Sequence, residues 1–372
     1  MAEGLNQTAG QVLVAGFHGD SLDERVGRLA GEASLGGVIL FRRNIVSPEQ
    51  TRDLVRDLIS RAPAHLPPLV SVDQEGGRVA RLGSPVLRLP PMRRLGEIDD
   101  AELTRTAAAV LGGQLGAIGF NCDFAPVLDV DTNPDNPVIG DRSFGREPER
   151  VAHHGLAFAE GLAASGLLAC GKHFPGHGDT ELDSHFALPR LTHDRTRLDA
   201  VELFPFRKAV GRLPMIMTAH VLFDALDPSR PATLSQPVIT GLLRDHMGFD
   251  GIIVSDDLEM KAVSDRWGVP EAACLAVEAG CDALLVCSDV EALHAARAAL
   301  VRRAEGDAAF AARLREAAER FVAARRRHPP SPAGADLSSA LTNPESDRVQ
   351  AELDRRVAGS AAGMPPARGE NP

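Results

Sequence analysis

Leu167-Leu168-Ala169-Cys170-Gly171-Lys172-His173-Phe174-Pro175-Gly176-His177-Gly178-Asp179-Thr180, closely followed by Asp183-Ser184-His185, changes character in a single step. A short apolar run, Leu167–Gly171, gives way at Lys172 to cations, imidazoles, glycines and carboxylates. An apolar run of that length suits a strand covered on both faces, as in a parallel sheet. Polar chemistry placed just beyond the C-terminal end of such a strand is the usual arrangement in α/β barrels and open α/β sheets. The rest of the chain decides between the two.

Seven further runs read as strands: Gln11–Gly16, Gly37–Phe41, Leu69–Val72, Phe120–Phe124, Met215–Ala219, Gly251–Ser255 and Ala283–Cys287. Helical patterns lie between several of them, at Pro48–Arg61, Asp100–Ile118, Pro148–Ser165, Arg197–Arg212, Val238–His246 and Pro270–Ala279. Eight alternating units predict an α/β fold of one (β/α)8 barrel, of the TIM type though irregular. A doubly wound sheet would show fewer strands and a glycine-rich first turn. An Ala/Arg-rich helical extension over Val290–Arg327 completes a catalytic domain spanning residues 1–327. Residues 328–372, rich in Pro and Ala, read as a largely disordered tail with a short helix near Glu345–Val357.

Composition narrows the function. The formal net charge of −11 leaves no concentration of positive charge to meet phosphate backbones, so no nucleic-acid partner is expected. No apolar stretch is long enough for a membrane span, and the N-terminus lacks the basic and apolar segments of a signal peptide. The five cysteines (Cys122, Cys170, Cys274, Cys281 and Cys287) are odd in number, follow no metal-binding spacing and sit mostly in apolar runs, which suggests buried thiols. A cytoplasmic monomer is expected. Tyr is absent and Trp267 stands alone, which suits a small site gripped by hydrogen bonds better than a long ring-stacking groove.

Ionisable residues gather after the third to the eighth strand, always at the same end. Asp73, Glu75, Arg78 and Arg81 follow the third strand; Asp129, Asp131, Asp141 and Arg142 follow the fourth. Lys172 and His173 follow the fifth, His220 the sixth, Asp256 and Asp257 the seventh, and Asp289 the eighth. Such one-sided bias marks the functional face of a barrel.

After the fifth strand, Gly176-His177-Gly178 gives a loop able to fold over a ligand. Asp183 and His185, two apart, share a face of an extended segment. A carboxylate beside an imidazole fixes its tautomer and favours its protonated form, which suits His185 to proton donation. His177 and Asp179 have the simpler reading of shaping the loop. Of the adjacent pair after the seventh strand, Asp256 is the expected nucleophile, being the first polar carboxylate beyond the apolar run, with Asp257 as fallback.

Two other chemistries share these residues. Gly166 to Lys172 matches the start of a phosphate-binding loop, but His173 stands where Ser or Thr belongs and the intervening residues form the strand itself. His173, His177, Asp179, Asp183 and His185 could also ligate a metal, although no helical pair or His-x-His supports this. No metal and no cofactor are expected.

The long motif from Lys172 to His185 resembles that of bacterial β-N-acetylglucosaminidases of glycoside hydrolase family 3, the NagZ type. So do Gly37-Val38-Ile39-Leu40-Phe41, Val72-Asp73-Gln74-Glu75-Gly76-Gly77-Arg78, Arg142-Ser143-Phe144-Gly145, Met217-Thr218-Ala219-His220 and Ser255-Asp256-Asp257-Leu258-Glu259-Met260. The resemblance spans roughly residues 10–320. It implies a retaining β-N-acetylhexosaminidase that removes terminal β-linked N-acetylglucosamine through a covalent intermediate. Asp256 would be the nucleophile, His185 the acid/base and Asp183 its orienting partner. It implies substrate binding by Asp73, Arg81, Arg142, Lys172 and His173. The usual scheme employs two carboxylates, and a histidine acid is this subgroup's departure from it. Fewer than ninety residues follow the eighth strand, too few for the second domain that supplies the acid in many family relatives, which again points to His185. The expected substrate is a GlcNAc-containing muropeptide from peptidoglycan recycling. A β-N-acetylglucosaminide phosphorylase and a catalytically silent sugar sensor are the rival functions.

Overall fold

The structure is a computed structural model, and it describes residues 2–332 and 336–362. All eight expected strands form. They are β1 (Leu13–Ala15), β2 (Gly37–Leu40), β3 (Leu69–Val72), β4 (Cys122–Asp123), β5 (Leu168–Phe174), β6 (Met215–Thr218), β7 (Ile252–Asp257) and β8 (Ala283–Val286). Each pairs in parallel with its sequence neighbour, and β1 closes on β8 with Leu13 opposite Leu284, so the sheet is a closed barrel ringed by helices.

The period-two pleat explains why the strands are apolar throughout. Val14, Ile39, Cys170, Met215, Met217, Ile252, Val254 and Leu285 fill the barrel interior. Their neighbours Leu13, Val38, Ala169, Ile216, Ile253 and Leu284 face the helices and are equally buried. All five cysteines are buried with free thiols.

The helices Pro48–Arg61, Ala101–Ile118 and Pro148–Ala164 form where the periodicity places them. Ser47 caps the first, its side chain accepting from the Gln50 N–H, and Asp100 caps the second in the same way. The expected Arg197–Arg212 helix is broken into Arg195–Ala200 and Phe204–Ala209, with Pro205 opening the second piece. The C-terminal extension is likewise two helices, Val290–Gly306 and Ala308–Arg327, because Asp307 ends one and caps the other. The second of these carries Phe321 and Ala324 into the interior cluster. Arg325 donates from there to Gly36 O at 2.6 Å and Pro67 O at 3.1 Å, at the edge where strands begin.

Beyond residue 328 the helix expected near Glu345–Val357 is present within a longer one, and the segment is more ordered than expected. Leu337–Leu341 and Pro344–Ala362 are helical and packed on the barrel's outer layer. Leu337, Leu341, Val349 and Leu353 are buried, Gln114 donates to Leu341 O at 2.7 Å, and Arg356 meets Asp100 at 3.1 Å. Only two apolar residues four apart, Val349 and Leu353, anchor the longer helix, so its sequence looks solvated. Residues 363–372, part of the segment expected to be disordered, lie outside the described residues. Among the described residues no helix is long and apolar enough to cross a membrane.

Candidate active site

A cavity of about 300 Å³ opens at the C-terminal ends of the strands. Asp73, Arg81, Arg142, Lys172, His173, Asp183, His185 and Asp256 all line it, so the structure brings together every residue singled out from sequence. Three of these come from the strands themselves: β5 extends to Phe174 and therefore includes Lys172 and His173, and β7 extends to Asp257 and includes Asp256. Their backbones are fixed by the barrel ladder rather than carried on loops.

The floor is an ion network. Lys172 Nζ lies 2.9 Å from Asp73 and 2.6 Å from Glu75. Arg142 grips Glu75 with two parallel bonds of 2.9 and 2.8 Å, and Arg81 reaches Asp73 at 3.2 Å. Burial alone would push both carboxyls up, but the surrounding cations outweigh it and hold Asp73 and Glu75 below the usual carboxylate range. Three cations face two carboxylates, so the floor keeps one net positive charge. Glu75 stands in the Asp73-Gln74-Glu75 motif but was not singled out; its signal was the spacing of two, which puts both carboxylates on one side of the chain.

Beside the floor, Asp129 is fully buried and accepts from His173 Nδ1 at 2.6 Å, from His173 N at 3.1 Å and from His177 N at 2.7 Å. It therefore fixes which ring nitrogen His173 presents to the cavity: Nε2, which lies 3.5 Å from Arg142. Beneath it, Asp123 accepts from Gln74 N at 2.9 Å, while its second oxygen has no partner among the described residues. Burial pushes its pKa up to about 8. Because an unfolded aspartate releases its proton near pH 3.8, this group favours the native state at low pH and ceases to do so as pH rises to about 8. Asp123→Asn is expected to gain stability over the wild type progressively between those limits, read by urea midpoints at pH 5 and pH 8. An equal difference at both would contradict the assignment.

Asp256 and Asp257 are adjacent and differ. Asp256 is partly open to the cavity, and its Oδ1 accepts from Asp257 N at 2.8 Å. Burial would raise its pKa, but the His220 and His173 rings and that N–H outweigh it, leaving the carboxyl below its ordinary value. Asp257 is pushed up to about 7 by burial and by the Glu259 and Asp256 charges, while its Oδ1 accepts from Glu259 N at 3.1 Å and Cys287 N at 3.2 Å. Both line the cavity; one carboxylate is thus ionised, the other is held by two backbone N–H groups and half protonated near pH 7. Asp257→Asn keeps an acceptor for both N–H groups, so at pH 6 it is expected to retain kcat/KM within about tenfold of wild type; a collapse would make Asp257 the reacting group. His220, not chosen from sequence, lies behind the pair, its Nε2 donating to Asp257 O at 2.9 Å.

Asp183 and His185 are paired, but not across an extended segment. Asp183 O accepts from Phe186 N and Ala187 N, each at 3.0 Å, so the chain makes a turn. Asp183 Oδ1 accepts from His185 N at 2.8 Å and from His185 Nδ1 at 2.7 Å. This leaves Nε2 as the free ring nitrogen. Gly178 lets the neck of this loop approach the fourth loop closely, since a Cβ there would stand 1.9 Å from Val130 O.

The five residues weighed as metal ligands do not converge. Among the described residues, Asp179, His193 and Glu202 alone bring ligand atoms within 4.8 Å of one another. Arg197 Nη2 stands 3.1 Å from Glu202 and 4.0 Å from Asp179, so a guanidinium already supplies positive charge there.

A closed parallel barrel whose cavity is lined by an ionised aspartate, an Asp–His pair and a floor rich in hydrogen-bond donors is suited to an enzyme acting on polar substrates. The family model for the glycosyl hydrolase family 3 N-terminal domain matches residues 7–323, and the chain belongs to glycoside hydrolase family 3. It is 42% identical over 290 residues to a β-hexosaminidase of Alkalilimnicola ehrlichii, covering 76% of this chain and 82% of that protein. Among solved structures, a family 3 β-N-acetylglucosaminidase from Paenibacillus superposes with a TM-score of 0.90 at 42% identity, covering 95% of this chain and 68% of that one. NagZ from Neisseria gonorrhoeae, in complex with N-trifluoroacetyl-D-glucosamine, gives 0.76 at 32% identity, covering 94% and 98%.

Proposed function

We propose that this chain is a retaining exo-β-N-acetylglucosaminidase that acts by double displacement. The observation that carries this reading is the division of labour at β7: an ionised, reachable Asp256 in a one-sugar cavity that also bears the Asp183–His185 pair. Asp256 attacks the anomeric carbon as His185 Nε2–H passes its proton to the departing glycosidic oxygen. The glycosidic bond breaks, the sugar is left on Asp256, and Asp183 holds the Nδ1–H throughout. Water then enters, gives its proton to His185 Nε2 and attacks the same carbon, releasing the sugar and restoring both groups. The floor of Asp73, Arg81, Arg142, Lys172 and His173 grips hydroxyl and acetamido groups by charge-assisted hydrogen bonds.

The cavity volume, about 300 Å³, fits a terminal sugar removed one at a time. GlcNAc-terminated muropeptides, handled in the cytoplasm during peptidoglycan recycling, are the substrates we favour on the strength of the motif resemblance; the names of the relatives, β-hexosaminidase and β-N-acetylglucosaminidase, support the sugar released.

Assays on β-N-acetylglucosaminides with two leaving groups test the acid. His185→Ala is expected to lose on the order of 10²- to 10⁴-fold in kcat/KM on methyl β-N-acetylglucosaminide, whose leaving group needs a proton. It should lose far less on the dinitrophenyl glycoside, which departs as a stable anion. Equal losses would remove His185 from that role. A glycosyl phosphate as main product in phosphate buffer would replace hydrolysis by phosphorolysis.

A further inference from the structure

Of residues 181–188, Ser184 alone is buried. Its neighbours on the turn are not held by packing: Leu182 is 50% exposed and Phe186 72% exposed. The Asp183–His185 pair is also locally self-sufficient, since its two bonds and the two bonds of the turn involve only residues 183–187. The turn can therefore keep the pair intact wherever it sits. What fixes its position over the barrel must be something that reaches outside the turn.

Ser184 does so in two directions. Its hydroxyl lies 2.9 Å from His177 Nε2, and its carbonyl accepts from Ala262 N at 3.3 Å. His177 belongs to the segment leaving β5, and Ala262 follows the chain that leaves β7 just beyond Asp256 and Asp257. Ser184 thus ties the turn that carries His185 to the element that carries Asp256. The imidazole is itself held rigidly. His177 N donates to Asp129 at 2.7 Å, the same carboxylate that holds His173. His177 Nδ1 lies 2.8 Å from Thr180 Oγ1, and Asn136 donates to His177 O at 2.9 Å.

The contact with Ser184 forms in either neutral tautomer. With the ring proton on Nδ1, shared with Thr180 Oγ1 at 2.8 Å, Nε2 accepts from the Ser184 hydroxyl; with it on Nε2, the ring donates to that hydroxyl. Burial, with His173 nearby, lowers the ring's pKa to about 4 against the opposing pull of Asp129, so the ring is neutral near pH 7.

We propose that Ser184, seated on His177, is the positioning residue that places the His185 acid/base over Asp256. The proposal rests on the reading of His185 as the proton donor. It predicts a defect that follows the donor and nothing else.

The test is a double-mutant cycle on two substrates. Ser184→Ala is expected to lower kcat/KM on methyl β-N-acetylglucosaminide about 10- to 100-fold, since a displacement of about 1 Å has that cost in a reacting pair. On the dinitrophenyl glycoside it should lose less than about threefold, which also shows that the variant folds. In a His185→Ala background, Ser184→Ala should add no further loss on the methyl glycoside. Equal losses on both substrates, or losses that multiply in the double variant, would make Ser184 a merely structural residue and overturn the proposal. Should His185→Ala itself lose both substrates alike, the acid assignment fails and the role of Ser184 falls with it. Should His185→Ala discriminate and Ser184→Ala not, only the positioning role falls.

Discussion

Asp256→Ala is expected to abolish turnover, with kcat on any β-N-acetylglucosaminide lower by on the order of 10⁴-fold or more, equivalent to at least about 5 kcal/mol of barrel-directed barrier lowering. The loss should be the same for good and poor leaving groups, unlike that of His185→Ala, because the first displacement needs the nucleophile whatever departs. The structure adds a second expectation. Removing the carboxylate leaves space beside the anomeric carbon, bordered by the Asp257 N–H that the carboxylate had accepted from. Added azide should then restore turnover of the dinitrophenyl glycoside and yield an α-glycosyl azide, read by product NMR. Failure of rescue together with a mild loss would move the attacking group elsewhere, for instance to the substrate's own acetamido oxygen, a route known among other glycosidases.

The second large effect is on stability. Asp282, at the start of β8, is fully buried and faces Arg244, Arg313 at 2.8 Å and Arg320 at 2.7 Å, and it also accepts from Ile253 N at 3.0 Å. These arginines come from three places: the helix Pro237–His246 and two turns of Ala308–Arg327. Asp282→Ala would leave three guanidinium groups facing one another with Glu316 as their remaining carboxylate partner. Loss of one partner from a buried ion cluster costs about 3–5 kcal/mol. We expect a urea midpoint shift of that size, with kcat on the dinitrophenyl glycoside close to wild type in the folded fraction, since the cluster lies at the opposite end of the barrel from the cavity. A change under about 1 kcal/mol would show that solvent screens the cluster, as it does surface pairs.

Much of the barrel could be read from the chain because its strands are apolar on both faces. Met215-Ile216-Met217 alternates between interior and helix-facing burial, yet both destinations are dry, so the run stands out without any alternation. Strand ends were harder. Lys172 and His173 are polar but still belong to β5, because the ion network and Asp129 satisfy them within the barrel. The terminal helix was expected near Glu345–Val357, but its docking on the barrel was not legible: two buried residues, Val349 and Leu353, hold it, and most of the remainder is a solvated face.

The candidate site was legible as a set of positions and not as a set of interactions. Every residue singled out reaches the cavity, because all follow strands at one end. The partners that decide protonation were less visible. Glu75, Asp129 and His220 act through contacts made across strands, some 30 to 70 positions apart in sequence, such as Arg142 with Glu75 and His173 with Asp129. Position after the apolar run favoured Asp256 over Asp257; the electrostatic difference between the two, set by the pair of backbone N–H groups on Asp257 and the imidazoles near Asp256, was not legible. Ser184 was read only as the middle of a motif, and its burial emerges from a turn that the spacing of two did not reveal.

The central claim is that the sugar is carried covalently on Asp256. A ring-fluorinated N-acetylglucosaminyl fluoride slows both displacements while its good leaving group keeps the first one the faster, so the intermediate accumulates. Peptide mapping by mass spectrometry after such treatment is the direct measurement. The predicted result is one sugar per chain, on the peptide containing Ser255-Asp256-Asp257 and fragmenting to Asp256. An adduct on another residue, or complete turnover of the reagent with no adduct and an α-configured first product, would contradict it.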